Sequence, residues 1–199
     1  MGKGTRALFL GLIAIAAAVA TAAVMLLVTG SGRQAPAVSD MGGAFTLTDQ
    51  DGKRVTEADF RGRYMLLFFG FTNCPDVCPL TLQRIADALE SAPGLKQKLT
   101  PVLITVDPER DTPEKMKDYV AYFGPEFRGL TGTPEEIATV LKAFKVYAKK
   151  VPLPDSALGY TMDHSALIYL YGPDGVFVTA YDPALDAAAL AAKLQENVK

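Results

Sequence analysis

Cys74 and Cys78 are the only cysteines in this 199-residue chain, and His164 is its only histidine. A crosslink stabilises more when it closes a longer loop, so a pair four residues apart suits chemistry better than bracing. If a helix begins at or just after Cys74, the two side chains share one face, with Cβ atoms roughly 5–6 Å apart. Two sulfurs at that separation can converge on one metal ion. A disulfide is possible but less comfortable, because helical i and i+4 Cα atoms lie roughly 6 Å apart, towards the long end of the disulfide range. Helix N-terminal amides and the helix dipole would lower the thiol pKa values, and the thiolate is the form that binds metal and attacks disulfides.

His164 lies in Met162-Asp-His-Ser165, just before the apolar run Ala166–Leu170. Two soft thiolates and one imidazole suit Cu(I) in a trigonal site. Zinc usually takes a fourth ligand, and the chain has no further Cys or His to supply it. The candidate metal set is therefore Cys74, Cys78 and His164, with copper as the ion, as Cu(I) or Cu(II). Asp163 would either orient the imidazole as an outer carboxylate or simply cap the start of the strand. Met162 is expected to turn away from His164 and pack. Asp76, between the cysteines, favours a helix N-terminus.

The surrounding pattern supplies elements to hold these residues. Tyr64–Phe71 (YMLLFFGF) is an apolar run of strand length, as expected for a central strand covered on both faces, and the cysteines follow its C-terminal end. Leu80, Leu82, Ile85, Ala86 and Leu89 then form a helical stripe that stops before Pro93-Gly94. Phe45–Thr48 alternates, and Asp51-Gly52 reads as a turn into a short strand through Val55. Pro101–Val106 is a second buried strand. Thr112-Pro113 starts a helix, and Thr133-Pro-Glu-Glu136 is a capping box opening another to about Phe144. Tyr147–Val151 reads as a short strand. Ala166–Tyr171 and Val176–Tyr181 flank Gly172-Pro-Asp-Gly175 as a hairpin, and Asp186 begins an Ala-rich helix carrying Leu190, Leu194 and Val198 on one face. Alternating strands and helices closed by a hairpin and a helix predict an α/β thioredoxin-like fold, a central mixed sheet flanked by helices. In such folds the loop opposite the cysteine helix normally carries a cis-proline. Here no proline stands at that point, and His164 occupies the neighbourhood.

From Leu8 to Val28 no residue is charged, a run of 21 residues. As a helix it spans roughly 31 Å, the thickness of a bilayer core. Lys3 and Arg6 precede it, which keeps the N-terminus cytoplasmic and exports the rest. The chain is thus expected to comprise an N-terminal transmembrane anchor (1–30), a tether (31–43) and one domain (44–199). The alternative is a signal peptide cleaved near Ala35-Pro-Ala37, but a secretory apolar region is usually only about 7–15 residues long. Too little sequence precedes the span for a mitochondrial transit peptide, so a bacterial inner-membrane protein with its domain in the periplasm is expected. Without Lys3 and Arg6 the chain carries 18 basic and 22 acidic residues and no basic cluster, which argues against nucleic acid as a partner.

Several segments resemble the Sco/SenC family of copper proteins for cytochrome c oxidase assembly. Phe69-Gly-Phe-Thr-Asn-Cys-Pro-Asp-Val-Cys-Pro79 is similar to its metal motif, Val106-Asp-Pro-Glu-Arg-Asp-Thr-Pro113 to its second signature, and Gly129-Leu-Thr-Gly132 to its third. Asp163-His-Ser165 resembles its histidine element. The resemblance runs from Phe45 to the C-terminus and implies Cys74, Cys78 and His164 as copper ligands. It implies a chaperone that takes copper from a periplasmic donor and delivers it to the dinuclear copper site of oxidase subunit II. Asn73 stands where many members have His or an aromatic residue. The Val106–Pro113 segment is either a partner surface or a loop with a good helix cap. A thiol–disulfide oxidoreductase acting on the oxidase cysteines is the alternative, although such enzymes normally carry CxxC and the cis-proline. A thiol peroxidase would set Thr or Ser three residues before the cysteine, where this chain has Phe71.

Overall fold

A computed structural model describes residues 41–199. Strands β1 (Thr46–Asp49) and β2 (Arg54–Thr56) form a hairpin. Its turn is closed by Asp49 Oδ1, which accepts the amides of Asp51 and Lys53 at 3.0 and 2.8 Å. Gly52 supplies the left-handed residue, with φ of +78°, which costs a glycine little. A 3₁₀ turn (Glu57–Phe60) leads into β3 (Tyr64–Gly70). Helices α1 (Val77–Ser91) and α2 (Pro93–Lys98) follow, then β4 (Leu99–Thr105), α3 (Pro113–Ala121) and β5 (Arg128–Thr131). Next come α4 (Pro134–Ala143), the pair β6 (Ala148–Leu153) and β7 (Gly159–His164), the pair β8 (Ile168–Tyr171) and β9 (Phe177–Tyr181), and α5 (Ala187–Asn197).

Seven strands form one mixed sheet in the order β2-β1-β5-β4-β3-β8-β9. β3 lies between β4, to which it is parallel, and β8, to which it is antiparallel. Its residues Met65–Gly70 are all buried, as the unbroken apolar run predicts for a strand covered on both faces. Thr112 and Thr133 cap α3 and α4 with their side chains, and Thr133 forms the reciprocal capping box with Glu136. Gly129 lets α3 lie close over β5: a Cβ there would stand 3.1 Å from both Met116 and Val120. The predicted central mixed sheet flanked by helices is what forms.

Some details differ from the sequence reading. β5, β7 and the short helix α2 lie where no element is expected from the sequence. The helix after β3 starts at Val77, not at Cys74. β6 and β7 form a separate two-stranded ribbon outside the main sheet. The predicted anchor at Leu8–Val28 lies outside the described residues. Among those described, no helix is long and apolar enough to cross a membrane.

Candidate metal centre

β3 delivers the chain to the cysteine loop. Pro75 disfavours a helical backbone at Cys74, and α1 opens only after the Asp76 N-cap. Cys74 instead closes a turn, its amide donating to the Phe71 carbonyl at 3.3 Å. Asp76 stands at the N-cap without a side-chain cap bond, and α1 then places Cys78 in its first turn. Pro79 is tolerated there because the first-turn amides have no intrahelical acceptor. The expected pair of thiols on one helix face is therefore replaced by a loop thiol facing a helix thiol. The helical spacing that made a disulfide uncomfortable no longer applies, and both cysteines are free.

Cys78 is fully buried and Cys74 half-buried. Gly70 makes room for the buried thiol, since a Cβ there would stand 3.0 Å from Cys78 Sγ. The two sulfurs share a hydrogen bond, and their pKa values part in opposite directions. The bond from Cys78 chiefly, with help from the backbone amides of Asp76 and Cys78, lowers Cys74 to about 5. The bond to Cys74 and burial push Cys78 up. Helix-terminal amides thus act as expected on Cys74. The same expectation fails for Cys78, because a buried thiol behind a thiolate keeps its proton and donates it.

His164 ends β7. Its Nδ1 lies 2.9 Å from the Ser165 carbonyl oxygen and its Nε2 lies 3.6 Å from Cys78 Sγ. A carbonyl only accepts, so Nδ1 carries the hydrogen and the Nε2 lone pair faces the thiol. The rings of Phe68 and Phe71 pack edge-on against the imidazole, with centroids 6.3 and 5.8 Å away. Asp163 does not orient this ring: the alternation of β7 exposes it opposite Lys149, and the Ser165 carbonyl does the work in its place. Met162 packs on the core as expected. It shares a face with His164 instead of turning away, because side chains two apart on a strand point the same way.

Cys74, Cys78 and His164 thus line up in sequence, each touching the next. Among the described residues, no three His, Cys, Asp or Glu side chains already form a closed metal cluster. Asp111, whose role sequence reasoning missed, is fully buried behind the cysteine loop. Its carboxylate accepts the Thr72 amide at 3.1 Å and the hydroxyls of Thr72 and Thr105, each at 2.6 Å. Its pKa is raised by burial. The segment Val106–Pro113 therefore has a structural task beyond capping α3.

The SCO1/SenC family model matches residues 33–199. The chain belongs to this family. It is 40% identical over 162 residues to the mitochondrial SCO1 homolog of Homo sapiens, covering 80% of this chain and 53% of that protein. It thus spans about half the length of the curated relatives it matches. Among solved Sco structures, copper-bound ScoI of Bradyrhizobium japonicum is similar at 47% identity and a TM-score of 0.72, over 79% of this chain and 99% of that one. BsSco, described as a member of the Sco family of cytochrome c oxidase assembly proteins with a disulfide switch, shares 26% identity at a TM-score of 0.61, over 80% and 94% of the two chains.

Proposed function

We propose that this Sco protein binds one copper ion through Cys74, Cys78 and His164 and passes it to the dinuclear copper site of cytochrome c oxidase subunit II. The observation that carries this reading is His164 Nε2, its lone pair turned to Cys78 Sγ at 3.6 Å while Nδ1 is occupied by the Ser165 carbonyl. The half-exposed Cys74 thiolate meets the incoming ion first. Cys78 then releases its proton to solvent as its sulfur binds, and Nε2 closes a trigonal set suited to copper. Cys74 sits on a loop, which leaves it room to close on the ion and to open again on transfer. The copper held by the Bradyrhizobium relative supports the choice of metal. On this reading a periplasmic donor supplies the ion, and Leu8–Val28 anchors the domain in a bacterial inner membrane.

One observation favours a second activity. Two free thiols, one of them lowered to about 5, form a pair able to exchange with a disulfide. Cys74 would attack a target disulfide, and Cys78 would displace the mixed disulfide. The target gains two electrons and its thiols, and the pair is left oxidised. A reductase needs no imidazole, whereas a copper carrier needs its third ligand. His164→Ala is expected to weaken copper retention severely and abolish oxidase maturation while a model disulfide is reduced at a similar rate. Normal oxidase copper content in cells carrying His164→Ala would replace the carrier reading with the reductase one.

A further inference from the structure

The ribbon that bears His164 is not hydrogen-bonded into the main sheet, and two strands alone are marginally stable. Near its far end, Tyr160 reaches the turn that follows β4. The Tyr160 hydroxyl donates to Asp107 Oδ1 at 2.8 Å. Arg110 lies over the Tyr160 ring, 3.7 Å from its centroid, and donates through Nη1 to the Tyr160 carbonyl at 3.1 Å. Arg110 Nε also pairs with Asp107 Oδ2. The Asp107 side chain is 1% exposed and that of Arg110 17%, so water screens this cluster little. At the other end of the same turn, Asp111 is bonded to Thr72 of the cysteine loop and to Thr105, and its carbonyl accepts the Thr131 hydroxyl at 2.7 Å. One short turn is thus tied both to the loop that carries Cys74 and to the ribbon that carries His164.

We propose that Asp107 and Arg110 are positioning residues for copper binding, clamping Tyr160 so that the ribbon holds His164 Nε2 against the thiols. Without the clamp the ribbon keeps its own pairing, the core contact of Met162 and the Lys150–Glu109 ion pair, but its angle to the cysteine loop is no longer fixed at Tyr160, and the imidazole is held less closely at the site. This rests on the copper reading above, and it gives the second signature a physical role. It also implies that the two halves of the centre are registered to each other through Asp107–Asp111.

The test uses the full-length protein in detergent, with Tyr160→Phe removing only the hydroxyl and Asp107→Asn repeating the test by a second route. With one histidine in the chain, the metal-free protein gives one set of imidazole NMR resonances. It is expected to broaden or split in both variants. Cu(I) affinity, read by competition with a chromogenic chelator, is expected to fall about tenfold in Tyr160→Phe. In a His164→Ala background the same change should alter affinity by less than about twofold, since a residue acting only through another shows no effect once that residue is gone. An unchanged imidazole resonance in both variants would overturn the proposal. So would an equal loss of copper with and without His164, which would mark the cluster as merely structural. Should the wild type bind no copper, the carrier reading fails, and the imidazole resonance alone decides the clamp.

Discussion

Cys74 and Cys78 share one hydrogen bond but not one ionisation state, and this makes the metal-free protein pH-sensitive. Cys74 falls from an ordinary value of 9.0 to about 5. Its thiolate contributes stability fully above pH 9, and that contribution is lost as the pH falls through about 5. Cys78 is raised from the same ordinary value. It contributes stability below pH 9 and loses it as the pH rises further. Metal-free stability attributable to the pair should therefore climb between pH 5 and 9 and decline above. Denaturant titration of wild type against Cys74→Ser across that range checks it, and a flat difference from pH 5 to 9 would contradict it. The proposed ligands stand out in the sequence because the chain has no other cysteine or histidine. Which thiol holds the charge does not, since the spacing of two cysteines does not say that Gly70 opens a buried slot for one of them.

Elements whose stabilising contacts are local were readable, and those held at long range were not. The apolar run of β3, the capping threonines of α3 and α4, and the turn between β8 and β9 each declare themselves within a few residues. β7 (GYTMDH) alternates Tyr160 and Met162 with Thr161 and Asp163, but only two of its residues are large and apolar, and it pairs with β6 alone, outside the main sheet. β5 (RGLT) shows no alternation, since Gly129, Leu130 and Thr131 are all buried. α1 starts later than the cysteine spacing predicts, because Pro75 and the Asp76 N-cap leave Cys74 on the loop. Asp111 is the counterpart among contacts, joining the cysteine loop, β4 and β5 through Thr72, Thr105 and Thr131. Asp111→Ala would leave the Thr72 amide and two hydroxyls without their buried acceptor, and each such loss costs about 1–3 kcal/mol. Relief of the penalty for burying the Asp111 carboxylate offsets part of this, so the metal-free protein should lose about 2–4 kcal/mol in urea denaturation, and a change below about 0.5 kcal/mol would show that water replaces the carboxylate.

Across the whole molecule, the folded domain and the apolar segment before it pose separate questions. Leu8–Val28 is long enough to span a bilayer, and the charges before it predict an exported domain. The full chain is expected to stay with the membrane fraction and to be digested by protease added from the periplasmic side. A soluble form beginning near Val38 would identify a cleaved signal peptide and leave the copper reading intact. That reading depends on three side chains acting together, and copper stoichiometry tests it most directly. Anaerobic Cu(I) loading of the full-length protein should give one tightly held copper per chain, and the Cu(II) form should show thiolate-to-copper charge transfer. Both should vanish in Cys74→Ser/Cys78→Ser. Stoichiometric, tightly held copper in that double variant would contradict the assigned centre.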